Sequence, residues 1–128
     1  MTWHAEAEQW ALDAASTVLP AVRYLRTGNA PAGSLVAIVG PATITESDIA
    51  LGGRLDARMS VDITVASPGD NEPGIAAMTE AVDALCGALV AAGAVELSTS
   101  AGVLALPESP NPRPVRTINA VILTSTAC

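Results

Sequence analysis

The 128-residue chain has no Phe, no Lys, one Tyr, one His and two Cys. Each shortage excludes something. Without Lys there is no phosphate loop of the GxxxxGK[ST] kind, in which the lysine reaches the phosphates. Six basic residues, all Arg, stand against thirteen acidic ones, a formal charge of −7. A dedicated nucleic-acid binder needs clustered cations and is not expected. Cys86 and Cys128 are too few and too far apart for a disulfide scaffold. Cys86 falls in an apolar helical pattern and reads as a small buried hydrophobe. A lone His4 cannot build a metal centre, which requires several His, Cys or carboxylate ligands at defined spacing. Asp70 and Glu72 lack the regular oxygen spacing of a calcium loop and read as helix-capping residues. GxGxxG, GxSxG and paired acid–base carboxylates are also absent, so neither catalysis nor a cofactor is expected. The first ten residues carry His4, Glu6 and Glu8 where a signal peptide has a basic start and an apolar run. No uninterrupted apolar run approaches 18 residues, so no membrane span is expected. The default setting is intracellular and reducing.

What is present is apolar. Half of the residues are hydrophobic and only 15% are charged. One domain spanning residues 1–128 is expected, able to bury about two-thirds of its extended surface. Sparse charge leaves apolar surface exposed on a monomer, the mark of a subunit in an assembly. The alternative is that abundant Ala inflates the apolar count.

Trp3, Ala7, Trp10, Ala14 and Val18 recur at helical spacing and predict a helix over 3–26 that ends or kinks at Pro20, with Thr2 as its N-cap. Val22, Tyr24 and Leu25 would form a short second turn. Gly28, Asn29, Pro31 and Gly33 mark a loop. Leu35 to Val39 reads as a buried strand broken at Gly40-Pro41, with a continuation through 42–45 and a loop over 46–53. Arg54 to Val65 alternates polar and apolar residues without a fault, which predicts a long strand over 54–66. Its polar side carries Arg54, Asp56, Arg58 and Asp62. This mixed-sign strip is either a solvated sheet face with cross-strand charge pairs or a subunit contact. After Ser67-Pro68-Gly69-Asp70, residues 73–92 predict a second helix with Ile75, Met78, Val82, Leu85 and Leu89 on its buried side. Two short strands, 95–99 and 103–106, would flank a turn at Ser100-Ala101-Gly102. Four prolines between Pro107 and Pro114 predict a loop outside the sheet. Residues 116–126 form the last strand, apolar on both faces. The expected fold is α+β: two helices on one face of a mainly antiparallel sheet, in the order α-β-β-α-β-β-β.

This layout resembles the tail terminator, or tail completion, proteins of long-tailed phages. The most similar segment is Met59 to Leu89, MSVDITVASPGDNEPGIAAMTEAVDALCGAL, a strand, turn and helix. The resemblance implies a non-enzymatic virion protein at the head–tail junction, assembled in the host cytoplasm. It implies a homo-oligomeric, six-fold ring that caps the tail tube protein and stops its polymerisation. The same ring would offer a surface to the head-side connector or stopper and let DNA pass without specific binding. Arg54, Asp56, Arg58 and Asp62 would lie in the subunit contacts or face the channel. The alternatives are another neck ring of the connector or stopper type, or a small-molecule-binding α+β domain. The Pro107–Pro114 loop and Cys128 match no feature of the family.

Overall fold

The computed structural model describes residues 3–24, 35–50, 54–69, 71–104 and 113–127. Two helices and five strands follow in the order α1 (Trp3–Ser16), β1 (Ala21–Arg23), β2 (Val36–Ala50), β3 (Arg54–Ala66), α2 (Glu72–Ala91), β4 (Glu96–Leu104) and β5 (Arg113–Ala127). The fold is α+β, with one mixed sheet ordered β1-β2-β3-β5-β4. Only β1–β2 is parallel; the other three pairings are antiparallel. The expected order is corrected at two places: a strand precedes β2, and what read as two strands after α2 is one.

Both corrections have physical causes. α1 stops at Ser16, well short of residue 26. Its last turn tightens, with the Val18 amide donating to the Ala15 carbonyl at 3.0 Å. The Thr17 hydroxyl takes the Ala14 carbonyl at 2.7 Å. Pro20 cannot continue the helix, and its carbonyl accepts from the Ala37 amide at 2.9 Å. That bond sets residues 21–23 beside β2, where a helical turn was expected. β4 is a single strand because β5 offers an unbroken ladder, with Ser100, Ala101 and Gly102 opposite Thr117, Arg116 and Val115. Turn-forming residues yield to the partner's hydrogen bonds.

β2 likewise runs on through residues expected to form a loop. Its register shifts between Val39 and Ala42 and again between Ile44 and Glu46. Such bulges let Pro41 sit in the strand without a donor. Gly40 takes φ +103°, and a Cβ there would stand 2.6 Å from the Tyr24 ring, so only glycine fits. β3 is the strand expected, and α2 lies one residue from its expected bounds. Arg113 and Pro114, expected in the proline-rich loop, open β5; residues 107–112 of that loop, and 105–106 of the strand expected before it, lie outside the described residues. So do Thr2, Asp70, Cys128 and the 25–34 loop.

One core joins both helices to the sheet. Ala57, Met59, Val61, Ile63 and Val65 of β3 pack with Ala37, Val39 and Ala42 of β2 and with Ile118, Ala120 and Ile122 of β5. α1 contributes Ala7, Ala11, Ala14 and Ala15, with Trp10 only partly buried, as is Val18 in the turn after it. Small residues let α1 lie close to its neighbours, while the Trp10 indole N–H caps the end of α2 by donating to the Ala92 carbonyl at 2.8 Å. Met78, Val82, Leu85 and Leu89 of α2 are buried, which contributes about 6–12 kcal/mol gross. Ile75 is 38% exposed. Its expected place is taken by Gly74, which sits within 3.1 Å of Ser67, Asn71 and Gly69 atoms when given a Cβ. Asn71 caps α2, its Oδ1 accepting from the Gly74 amide at 2.8 Å. By length and composition α2 could cross a membrane; in this fold its apolar side is core.

Candidate interaction surface

The alternation of β3 divides its side chains between two sides of the sheet. The residues between the core positions, Arg58, Ser60, Asp62 and Thr64, fall on the side away from the helices. Their partners there are Leu123, Val121, Asn119 and Thr117 of β5. β4 brings Glu96, Ser98 and Ser100 to the same side, opposite Val121, Asn119 and Thr117.

The polar groups pair with one another. Arg58 reaches across β5 to form an ion pair with Glu96. Asn119 donates from Nδ2 to the Ser60 hydroxyl at 2.6 Å and to Asp62 Oδ1 at 2.8 Å. Thr64 and Thr117 share a hydroxyl hydrogen bond of 3.2 Å. The result is a ladder of partnered polar side chains across β3, β5 and β4. Arg58 is about one-third exposed and Glu96 nearly two-thirds, so their pair is worth about 0–1 kcal/mol. Ser60 is buried, which makes its bond to Asn119 more costly to lose.

Of the four strip residues read from the sequence, Arg58 and Asp62 lie on this surface with partners inside the chain. Arg54 and Asp56 occupy the same strand positions opposite Ala127 and Ser125, and their side chains lie outside the described residues. Sequence reasoning missed Asn119 and Glu96. The alternation of residues 118–123 puts Asn119 on the polar side, but nothing near Glu96 in sequence announces Arg58. Only the strand order brings those two together.

One end of this side is closed by Val36, Ile38, Ala66 and Val115, a second small apolar cluster with Val22 against it. Beside it the buried Arg113 donates from Nε to the Ser67 carbonyl and from an Nη to the Ala66 carbonyl at 3.5 Å. Ser67 returns a backbone bond to the Pro114 carbonyl at 2.9 Å. Arg113 thus ties the turn before α2 to the start of β5.

A second polar group braces β2 against α1. Glu8 accepts from the Ala42 amide at 3.2 Å and from Arg23 at 3.4 Å. Arg23 also donates to Gln9 at 3.1 Å. The carboxylate satisfies an amide of β2 just past the stretch that β1 covers, a structural use of a charge.

Cys86 is a free thiol, partly buried against the core. Burial, and secondly the charge of Asp83, push its pKa up. A raised pKa keeps the thiol protonated and weakly nucleophilic. His4 is exposed. Among the described residues no three His, Cys, Asp or Glu side chains are grouped to hold a metal ion. No protein-family model matches the chain, and no curated protein matches it.

Proposed function

We propose that this chain is a structural subunit of a phage virion, forming a ring that caps the tail tube, stops its polymerisation and joins the tail to the head connector. The observation that carries the reading is the two-sided sheet. One side is covered over its centre by the helices; the other presents a polar ladder in which Arg58 pairs with Glu96, Asn119 with Ser60 and Asp62, and Thr64 with Thr117. Such a surface is built to be displayed, and a ring needs one that can face a channel. Arg58, Ser60, Asp62, Thr64, Thr117 and Asn119 are committed within the chain, and the net charge of −7 disfavours adhesion to DNA. The element sequence of strand, turn and helix over Met59 to Leu89 supports the same reading through its resemblance to tail terminators. A closed ring is made of head-to-tail contacts whose rotation closes. The partners are then further copies of this chain, the tail tube protein below and the connector or stopper above.

The experiment is electron microscopy of lysates from a phage lacking this gene. Overlong tails without heads are the expected result. Tails of normal length beside tailless, leaking heads would instead assign the protein to the head-side connector.

A further inference from the structure

The two edges of the sheet are unequal, and both bear on how copies meet. β4 is an edge strand of nine residues, regular throughout its pairing with β5. Soluble proteins blunt such edges with charge, proline or bulges. Beyond Glu96, the stretch LSTSAGVL has none of these. Val95, just before it, and Val103, near its end, are 52% and 73% exposed. At the opposite edge, β1 covers only Ala37–Val39 of β2. The outer side of residues 43–50 pairs with no strand among the described residues.

We infer that β4 of one copy pairs with residues 43–50 of β2 in the next, extending the sheet from copy to copy. Direction permits it. β4 runs with β3 and against β2, so placing copies side by side in the same sense makes the new pair antiparallel. Length permits it, since nine residues meet eight. Faces agree as well: Ala101 and Ile44 both lie on the helix side of the sheet, at opposite edges, and both are exposed.

The heights of the two edges fix the geometry. Ser100, the middle of β4, is level with Thr117 of β5. Glu46, in the middle of the free stretch of β2, is level through Arg58 with Leu123. The two levels are six residues apart on β5, about 20 Å along the strands at ~3.3 Å per residue. Four strand spacings, from β2 through β3, β5 and β4 to the next β2, amount to about 19 Å at ~4.8 Å each. Pairing the edges therefore tilts the strands by about 45° to the direction of propagation, at the upper end of the ~35–45° found in closed barrels. A flat, unstaggered array would instead set β4 against the short β1. The stagger that the edges demand is thus one that lets a sheet close on itself. Closure rests on the ring reading above; the edge pairing itself does not.

The test is disulfide trapping in a Cys86→Ser, Cys128→Ser background. Ala101→Cys protein and Ile44→Cys protein are mixed under mild oxidation. The expected result is about tenfold more cross-linked dimer in the mixture than in either variant alone, because directly opposed residues in an antiparallel pair lie within disulfide reach. Hydrogen exchange on assembled wild-type protein gives a second readout that needs no variant, with new protection confined to 96–104 and 43–50. Thr99→Lys with Ala101→Lys, both at exposed sites, should abolish most assembly with an unchanged melting curve. A chain that stays monomeric at millimolar concentration overturns the inference, as does a cross-link formed by Ala101→Cys alone. Closed rings without the mixed link would remove the edge pairing and keep the ring; the mixed link in open filaments would keep the pairing and remove the ring.

Discussion

The two sides of β3 use the same backbone for opposite purposes. Met59, Val61, Ile63 and Val65 are fully buried and have no polar atoms to satisfy. Arg58, Ser60, Asp62 and Thr64, one residue away in each case, hold hydrogen bonds or an ion pair. On the first side stability scales with area removed from water. On the second it is a sum of small pairwise terms, each near 1 kcal/mol. The difference teaches that β3 is anchored by one side and leaves the other free to carry surface chemistry at little cost to the fold.

Substitutions can break that contrast, beginning with the helix side. Ile63→Asp places an unpaired charge in the core, where several kcal/mol are at stake, and should leave no cooperative melt by circular dichroism. A soluble, folded variant would show that the core is far looser than its burial implies. Met59→Ala removes volume without adding charge and should cost about 2–5 kcal/mol in urea unfolding, with the slope of the transition unchanged.

Smaller effects are expected on the polar side. Asn119→Ala strips the donor from Ser60 and Asp62. It should cost about 1–3 kcal/mol, chiefly through the buried Ser60 hydroxyl; a loss as large as that of Met59→Ala would erase the contrast. Arg58→Glu replaces an exposed pair with repulsion from Glu96 and should shift stability by no more than about 1 kcal/mol, less still in high salt. If Arg58 also meets a neighbouring subunit, this variant will assemble poorly while melting normally. Unchanged assembly would place the strip in solvent or along a channel.

A helix position provides the smallest expected change, and one of opposite sign. A Cβ on Gly87 meets nothing within 4 Å. Gly87→Ala should therefore stabilise α2 by up to about 1 kcal/mol. Gly74→Ala should do the reverse, because its Cβ would press on Ser67, Asn71 and the Gly69 carbonyl. A thermal melt of the pair separates helix propensity from close packing.

Legibility from sequence followed periodicity. β3 was predictable because twelve residues, Arg54 to Val65, alternate without fault, and α2 because Met78, Val82, Leu85 and Leu89 repeat at helical spacing after a turn. Local composition misled where a neighbour supplied the hydrogen bonds. Ser100-Ala101-Gly102 reads as a turn and Pro114 as a strand breaker, yet both lie within strands paired along β4 and β5. Val22 reads as helical, yet β2 draws it into the sheet. For the candidate surface, the polarity of Arg58 and Asp62 was visible, but their partners were not.

The sequence by itself determined the α+β class of the fold, the presence of two helices, the alternating strand β3 and the burial of Met78, Val82, Leu85 and Leu89. All of these depend on the order of side chains within one segment, and local spacing encodes them. The tertiary structure alone decided the strand order, the joining of Glu96 to Arg58, the bracing of the β2 register shift by Glu8 and the mismatch in height between the two free edges. These depend on which distant segments lie side by side, and that choice is made by the whole core at once.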